Sequence, residues 1–473
     1  MGIKLKEFWF IVGSQYLYGE ETLKQVEQNA KYMVDTLNKN GNLPFVLKLQ
    51  PLAVKPEVIT QLMKEANYRD EVIGVITWMH TFSPAKMWIR GTKILHKPLL
   101  HFATQFNESI PWKTIDMDFM NLNQAAHGDR EYGYINSRLH KNNRVIVGYW
   151  KNKDVQKQIA DWMNVANAYN ESFNIRAVRF GDNMRSVAVT EGDKIQAQID
   201  FGWTVDYFPI NDLVKEVNKV SKEEINKKYQ EYVNKYGCQY DKYSKETWIN
   251  HVKEQAKIEC GLRKFMQQHN YSVVVTNFES LDGLKQLPGL AIQNMMADGY
   301  GFSAEGDWKT ACLNKLLKIM SNNKSTGFME DYTYEMTKNK EYILEAHMLE
   351  VDPTLASNQP KIKVAPLGIG NKEDPARLVF DGKAGKAVVV SMIDMGTHFE
   401  LLINEVECVK PSTPAPKLPV ARVIWKVKPN FTEGVKKWIE IGGGHHTVVS
   451  LNLNTQQIID WCKMVNLSYK IIK

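Results

Sequence analysis

Short apolar runs alternate with amphipathic segments along the first third of the chain, and this alternation constrains the fold more than any other feature. The runs are EFWFIVG, PFVLKL, EVIGVITWM, PLLHFAT and RVIVGYW. The segment after the first run places its apolar residues on one helix face: Leu23, Val26, Ala30, Met33, Val34 and Leu37. Apolar strands separated by such helices are typical of a parallel sheet covered on both faces. We therefore predict a doubly wound α/β domain over residues 1–175.

The middle of the chain, residues 176–325, predicts a second α/β domain. Strand-like runs SVAVTEGD, VDYFPI and YSVVVTNF flank a long charged segment over residues 211–268. Its apolar positions fit helical spacing, and Ser221 with Glu224 fits a capping box. A solvated helical hairpin explains this segment better than an electrostatic binding surface.

Residues 326–473 change to a β-rich pattern. The runs KIKVAPLGI, ARLVFDG, KAVVVSMIDM, FELLINEVECV, ARVIWKV and KKWIEIG are separated by turn residues. Such a series predicts an antiparallel sandwich or barrel, closed by a helix near residues 455–465. The proline-rich stretch PSTPAPKLP lies between two of the runs, so we interpret it as a rigid loop.

Composition narrows the function classes. At 473 residues two or three domains are expected, and the charge of +7 is spread without a compact basic block, which disfavours nucleic-acid binding. Five scattered cysteines without a CxxC pair indicate reduced thiols, a cytoplasmic setting and no zinc–thiolate site. The first apolar run is too short for a signal peptide, and no run is long enough to span a bilayer.

Two carboxylates and two imidazoles stand out because each lies in an apolar or glycine-rich stretch. They are Glu305 in GYGFSAEGDWKT, Glu330 in GFMEDYTYE, His347 in EAHMLE and His446 in IGGGHHTVV. Carboxylates buried together need a cation or a proton. Two carboxylates with imidazole suit Mn²⁺, Co²⁺, Fe²⁺ or Zn²⁺ better than Ca²⁺. The combination indicates a divalent metal site and hence a metalloenzyme.

Each of these residues also has a structural interpretation. An acid at the start of the helix after Glu305 would complement the helix dipole, although Asp307 can fill that role. Glu330 could be solvated, and a lone His347 in a strand is usually a core residue, with Glu350 on the opposite face. The GGGHH turn could instead cradle a phosphate.

A second group of polar and aromatic residues lies in the first domain. SQYLYG follows the first strand, where parallel α/β sheets hold ligands. NQAAHGDREYGY supplies Gln124, His127, Asp129 and Arg130, while Trp78, Phe82 and Trp88 add aromatic surface. Amide, imidazole and aromatic groups together suit sugar hydroxyls.

These segments resemble one family, the bacterial L-arabinose isomerases. The resemblance covers nearly the whole chain and includes FWFIVGSQYLYGEETL, NLNQAAHGDREYGY, KQLPGLAIQNMMADGYGFSAEGDWKTA, PLGIGNKEDPARLVF and GGGHHTVV. It implies a flavodoxin-like N-terminal domain, a second α/β domain and a C-terminal β-barrel. It also implies a Mn²⁺ site, with Co²⁺ or another divalent ion as substitute, at Glu305, Glu330, His347 and His446.

The resemblance implies further roles, position by position. Substrate would contact Gln15, Leu17, Gln124, His127 and His445, within an apolar wall of Phe82, Met184, Phe278 and Ile369. The N-terminal residues would reach a neighbouring subunit's metal site, in a homo-oligomer that is commonly a hexamer. Ala365 departs from members that carry histidine there, which leaves fine substrate preference open.

The implied reaction is the aldose–ketose isomerisation of L-arabinose to L-ribulose through an enediol. Conversion of D-galactose to D-tagatose is an additional activity that the resemblance implies. Glu305 and Glu330 would move a proton between C2 and C1 as acid and base. Three alternatives stay open: an isomerase for another sugar, a metallohydrolase, and a sugar-binding protein built on the first domain.

Overall fold

A computed structural model of the chain describes residues 5–368 and 371–473. The chain folds into two compact units, Met1–Asn170 and Glu171–Lys473. The boundary predicted after residue 325, between a central and a C-terminal domain within the second unit, stays a prediction. Across the described ranges, no helix is both long and apolar enough to cross a lipid bilayer.

The first unit contains a five-stranded, wholly parallel sheet in the order β2-β1-β3-β4-β5. Its strands are β1 Glu7–Gly13, β2 Val46–Leu49, β3 Val72–Met79, β4 Leu99–Ala103 and β5 Asn143–Val147. The helices are α1 Gly19–Asn40, α2 Pro56–Tyr68, α3 Ile89–Ile94, α4 Met117–Leu122, α5 Ala125–Arg138 and α6 Lys153–Ser172. The predicted parallel α/β architecture is confirmed for this region. Because the strand order reverses between β1 and β3, their carboxyl ends border a crevice.

Burial explains the apolar runs of this unit and corrects one expectation. All eight residues of β3 are buried, as expected for a strand covered on both faces. Trp78 and Trp88 are fully buried as well, and the Trp78 indole N–H donates to the Thr104 carbonyl at 2.9 Å. The expected aromatic surface is therefore wrong for these two residues, whose rings belong to the core; Phe82 remains partly exposed.

The second unit begins with another parallel sheet, in the order β10-β9-β6-β7. Its elements up to residue 320 are β6 Arg176–Phe180, α7 Lys194–Phe201, β7 Thr204–Phe208, α8 Ile210–Asn218, α9 Lys222–Lys235, β8 Gly237–Gln239, α10 Lys245–His269, β9 Val273–Val275, α11 Gly289–Ala297, β10 Gly301–Ser303 and α12 Trp308–Met320. The charged segment forms three helices rather than a hairpin, and the capping box of Ser221 and Glu224 is present. SVAVTEGD is not a strand, since it forms only a 3₁₀ turn at Ala188–Thr190.

The C-terminal part of this unit is built around a seven-stranded sheet, β15-β18-β11-β12-β17-β16-β19, in which β15 also pairs with β16. Its elements are β11 Thr326–Glu335, β12 Tyr342–Ala346, β13 Lys361–Val364, β14 Ala376–Val379, β15 Gly385–Asp394, β16 Phe399–Cys408, β17 Val423–Val427, α13 Phe431–Glu440, β18 His446–Ser450, α14 Thr455–Met464 and β19 Ser468–Ile472. The strands β8, β13 and β14 form a separate small sheet.

Two expectations about this sheet need correction. It is mixed rather than antiparallel, because β19 follows helix α14 and runs parallel to β16. The first five residues of KKWIEIG lie in helix α13, not in a strand, because Asn430 caps the helix by accepting from the Glu433 N–H. The predicted final helix is confirmed as α14, and the proline-rich stretch is a loop between β16 and β17.

Strand β11 separates two hydrophobic clusters of the second unit. Phe328 packs in the cluster around β6, β9 and part of α10, whereas Met329 packs in a second cluster that combines residues of the seven-stranded sheet, of β13 and β14, and of α9 and α10. Successive side chains of a strand point to opposite faces, so Glu330 shares the face of Phe328. Burying side chains of this size stabilises the fold by roughly 1.5–3 kcal/mol each, which anchors the strand that carries Glu330.

Candidate metal centre

Glu305 lies in a tight turn between β10 and α12. Its φ is 57°, in the left-handed region, and Gly306 follows with a φ of 78°. A non-glycine residue adopts this conformation at a cost, so neighbouring structure must hold it. The Met184 N–H donates to the Glu305 carbonyl at 3.1 Å, and a Cβ on Gly306 would lie 2.5 Å from the Cα of Asn183. The loop of residues 181–193 therefore fixes the turn that presents the Glu305 carboxylate.

Strand register brings Glu330, His347 and His446 together. Glu330 on β11 pairs directly with His446 on β18 and, on its other side, with Ala346 on β12. Directly opposed residues of antiparallel strands place their side chains on the same face. His347 follows Ala346 at the end of β12, and its Nε2 lies 3.8 Å from Glu330 Oε2. Three strands thus place one carboxylate and two imidazoles at one point of the sheet.

His446 is oriented by Asp307, which also caps helix α12 as the sequence predicts. The His446 Nδ1 lies 3.1 Å from Asp307 Oδ2. Burial alone would raise the pKa of Asp307, but Lys309 and His446 outweigh burial and hold that pKa well below its ordinary value. The other ring nitrogen, Nε2, lies 3.7 Å from Glu305 Oε2, is buried, and has no hydrogen-bond partner among the described residues. A buried nitrogen without a partner costs free energy that a bound ligand would recover.

His347 is oriented in the same way by Glu350. The sequence pattern predicts these two residues on opposite faces of a strand, and this prediction is wrong, because β12 ends at Ala346 and the chain then bends at residues 348–349. As a result, the His347 Nδ1 lies 2.6 Å from Glu350 Oε2. Burial lowers the pKa of His347, but the Glu350 carboxylate outweighs burial and raises it. In both imidazoles a carboxylate therefore binds Nδ1 and leaves Nε2 toward Glu305 or Glu330.

His445 lies in the same cluster. Its Nε2 is 3.2 Å from Glu305 Oε2, and this hydrogen bond lowers the pKa of Glu305 and raises that of His445. Glu305, Glu330, His445 and His446 each offer one ligand atom, and these four atoms all lie within 4.8 Å of one another. The four ligands implied by the family resemblance include His347 in place of His445, and the structure brings both histidines to the cluster.

The donor set fits a divalent metal ion. Metal-ligating histidines commonly donate the N–H of one ring nitrogen to a carboxylate and bind the ion with the other, and His347 and His446 both have that arrangement. Carboxylate and imidazole without thiolate suit Mn²⁺, Co²⁺, Fe²⁺ or Zn²⁺. The Glu305 and Glu330 side chains are 16% and 19% exposed, so both carboxylates are partly accessible to solvent.

Aromatic and apolar residues surround the two buried imidazoles. The Phe278 ring stacks on His347 at a centroid distance of 6.0 Å, and the Phe328 ring lies 5.1 Å from both His347 and His446. Met184 and Phe278, both predicted wall residues, thus lie beside the cluster, whereas Ile369 falls outside the described residues. Phe328 is a further residue of the site that was not predicted, although its position two residues before Glu330 on a strand places it on the same face.

The predicted substrate residues of the first unit lie after the carboxyl ends of β1 and β3 and at the start of α5. The Phe82 ring stacks on His127 at 4.0 Å, and the Tyr18 hydroxyl donates to Gln124 Oε1 at 3.2 Å. Leu17 lies in a 3₁₀ turn just after Gln15 and is 83% exposed. An exposed leucine beside polar groups is available for contact with another molecule.

Family models and individual relatives match the chain over almost its full length. The N-terminal, central and C-terminal domain models of L-arabinose isomerase match residues 2–174, 176–323 and 325–468. L-arabinose isomerase 2 of Bacillus licheniformis is 67% identical over 468 residues, covering 99% of both chains. The L-arabinose isomerase of Oceanobacillus iheyensis is 66% identical over 471 residues, covering 100% of this chain and 99% of the relative. That of Pediococcus pentosaceus is 56% identical over 467 residues, covering 99% and 98%.

Proposed function

The chain belongs to the L-arabinose isomerase family, and we propose that it converts L-arabinose to L-ribulose, the first step in using this sugar, with a divalent metal ion bound by Glu305, Glu330, His347 and His446. The observation that carries the metal-dependent part is the buried Nε2 of His446, which has no hydrogen-bond partner among the described residues and faces Glu305. We take Mn²⁺ as the ion, with Co²⁺ as a substitute, because oxygen and imidazole donors suit both.

The reaction moves hydrogen within one sugar and needs no external oxidant. A proton leaves C2 and another is added at C1, while a hydroxyl proton shifts from O2 to O1, so the aldehyde becomes a ketone through an enediol. One carboxylate of the Glu305–Glu330 pair accepts the C2 proton, and a carboxyl of the pair returns a proton to C1. The bound ion supplies Lewis-acid stabilisation of the negative charge that develops on the substrate oxygens.

The residues around the cluster determine which sugars the site accepts. The Phe278 ring borders the cluster by stacking on His347, Met184 adjoins it through its backbone N–H contact to Glu305, and His445 adds a polar contact. D-Galactose has the same configuration as L-arabinose at C2, C3 and C4 and adds one CH₂OH group. A pocket discriminates weakly against a small added group, so we propose D-galactose as a poorer second substrate.

Metal-stripped protein incubated with L-arabinose tests this function. We expect ketose to form when Mn²⁺ is restored and little to form without it. D-Galactose, L-fucose and a phosphate ester serve as comparison substrates. Absence of ketose with every divalent ion tried would contradict the isomerase, and hydrolysis of the ester would favour a metallohydrolase.

We further propose a homo-oligomer, a hexamer by family resemblance, whose active sites combine the metal centre of one subunit with Gln15, Leu17, Phe82, Gln124 and His127 of its neighbour. The exposed Leu17 supports this assembly, as does the neighbouring Tyr16, which is 62% exposed. Mass photometry of the purified protein measures the subunit number, and a monomer at assay concentration would contradict the proposal.

Three structural and cellular refinements belong to the same proposal. The strand order of the first unit supports a flavodoxin-like domain, and the pairing of β15 with β16 supports closure of the C-terminal sheet into a barrel. Cysteines that form no disulfide in the described part of the chain favour a cytoplasmic location.

A further inference from the structure

Lys309 is a fully buried lysine beside the metal centre. Its Nζ donates to the Val189 carbonyl at 3.0 Å and to Asp307 Oδ1 at 3.3 Å. Its methylene stem packs against Gly192, where a Cβ would lie 2.8 Å from the Lys309 Cδ. Among the described residues, Asp307 is the only carboxylate that forms an ion pair with it. A buried ammonium is tolerated only when it is paired, so these contacts hold it in one place.

The two partners of Lys309 lead to two different parts of the centre. Asp307 binds the Nδ1 of His446, which leaves the other nitrogen toward Glu305. Val189 belongs to the 181–193 loop, and the Met184 N–H of that loop binds the carbonyl of Glu305. One ammonium group therefore joins the residue that orients an imidazole to the loop that holds a carboxylate.

We propose that Lys309 is a positioning residue of this enzyme, which holds Asp307 against His446 and the 181–193 loop against the Glu305 turn. It thereby sets metal affinity and substrate binding without contacting either the ion or the substrate. The inference rests on the proposed metal-dependent isomerisation.

The competing explanation is that Lys309 only neutralises a buried carboxylate. Lys318 provides a matched control, because it lies on the same helix α12, is also buried, and pairs with Asp352. Its Nζ also donates to the Met296 carbonyl at 2.9 Å and to Asn323 Oδ1 at 2.8 Å, none of which belongs to the metal centre. Replacing either lysine by methionine removes a buried ammonium of the same kind.

The experiment compares wild type, Lys309→Met, Lys309→Gln and Lys318→Met as full-length chains. Glutamine keeps an N–H donor for Val189 and serves if methionine prevents folding. Mn²⁺ is titrated calorimetrically into each metal-stripped protein, and KM and kcat for L-arabinose are measured with saturating Mn²⁺. We expect the Lys309 variants to bind Mn²⁺ about 10- to 100-fold more weakly, the range found when groups that orient metal ligands are removed. We also expect KM to rise by a larger factor than kcat falls.

Two results would overturn the positioning role of Lys309, and a third would overturn the proposed metal-dependent function. Lys309 variants that bind Mn²⁺ within about threefold of wild type would overturn the positioning role. So would Lys318→Met if it weakened Mn²⁺ binding as much as Lys309→Met does, because the effect would then be the general loss of a buried charge. If wild type itself binds no Mn²⁺, the proposed metal-dependent function fails, which is a distinct outcome.

Discussion

Single residues matter here chiefly through the group that orients them. Each of the two buried imidazoles has a carboxylate on Nδ1, Asp307 in one case and Glu350 in the other. Such a partner fixes the ring plane and the position of its proton, and strengthens the free nitrogen as a ligand. The orienting carboxylates should therefore affect metal binding although they do not bind the ion.

We predict that Glu350→Gln weakens Mn²⁺ binding by about 10- to 100-fold. Glutamine has nearly the same size, but it removes the charge that polarises His347. Glu345→Gln is the matched control, since Glu345 lies on the neighbouring strand β12 and is equally buried, and burial raises its pKa well above the ordinary value. Calorimetric titration of both metal-stripped variants gives the answer, and equal losses in the two would contradict the role of Glu350.

Loss of a reacting carboxylate should have a different signature. We predict that Glu305→Gln lowers kcat by about 100- to 10,000-fold, the usual contribution of a positioned acid or base. Glu246→Gln, at an exposed position on α10, is expected to leave kcat unchanged. A folded Glu305→Gln protein that binds Mn²⁺ and turns over normally would remove Glu305 from the proton transfer.

At the scale of single residues, the sequence identifies candidate metal-binding side chains more readily than the side chains that orient them. Glu305, Glu330 and His446 stand out because a charged or imidazole group in an apolar or glycine-rich stretch needs an explanation. Glu350 was assigned to the wrong face, because its position depends on the backbone leaving the strand after Ala346. Strand periodicity cannot predict where a strand stops.

Among the elements, the turn from β10 to α12 is constrained by both its backbone conformation and its packing. Its two consecutive left-handed residues, Glu305 and Gly306, pack under the backbone of the 181–193 loop. A side chain on Gly306 would meet backbone atoms that cannot rotate away. The loop and the turn must therefore move together.

We predict that Gly306→Ala lowers kcat/KM by about 100-fold, because a shift of about 1 Å in a reacting group has this effect. Gly396→Ala is the control that introduces the backbone strain without a steric clash, since Gly396 has a φ of 81° and open space around its Cβ position. Both changes should cost about 1–2 kcal/mol of stability from the left-handed backbone. Steady-state kinetics and thermal unfolding distinguish the two, and normal activity in Gly306→Ala would refute the tight turn.

Element type was predictable where one periodicity dominates. The buried strand β3 and the capped helix α9 follow directly from their residues. KKWIEIG was misassigned because its short apolar alternation also fits a helix once Asn430 caps it. SVAVTEGD has β-branched residues, yet its backbone is held by loop contacts such as that from Lys309 to Val189.

Across the molecule, the first unit should respond to acid through a buried histidine. His80 stacks on Trp78 at 4.4 Å, and its Nε2 lies 2.9 Å from the Asn29 amide nitrogen. Burial lowers the pKa of His80 from 6.5 to about 4. The unfolded chain therefore binds the proton more readily than the folded unit between these two values.

We predict that the stability contributed by neutral His80 is fully present above pH 6.5 and declines as the pH falls toward 4. The slope from this group is at most about 1.4 kcal/mol per pH unit. Hydrogen exchange of peptides from β3 measures this pH dependence of stability. His80→Gln should flatten the pH dependence, whereas His96→Gln, at an exposed position, should leave it unchanged. An unchanged profile in His80→Gln would exclude this histidine as the cause.

The proposed homo-oligomer predicts that two variants with different defects regain activity when their subunits assemble together. Gln124→Ala damages the substrate residues of the first unit, and Glu305→Gln damages the metal centre of the second. If each active site combines these parts from two subunits, random hybrid oligomers contain about a quarter of sites with both parts intact. Co-expression should therefore recover activity that neither variant shows alone. A site formed within one subunit would leave every site in the hybrid defective, so mixing that recovers nothing, in oligomers shown to be hybrid, would place both parts in the same chain.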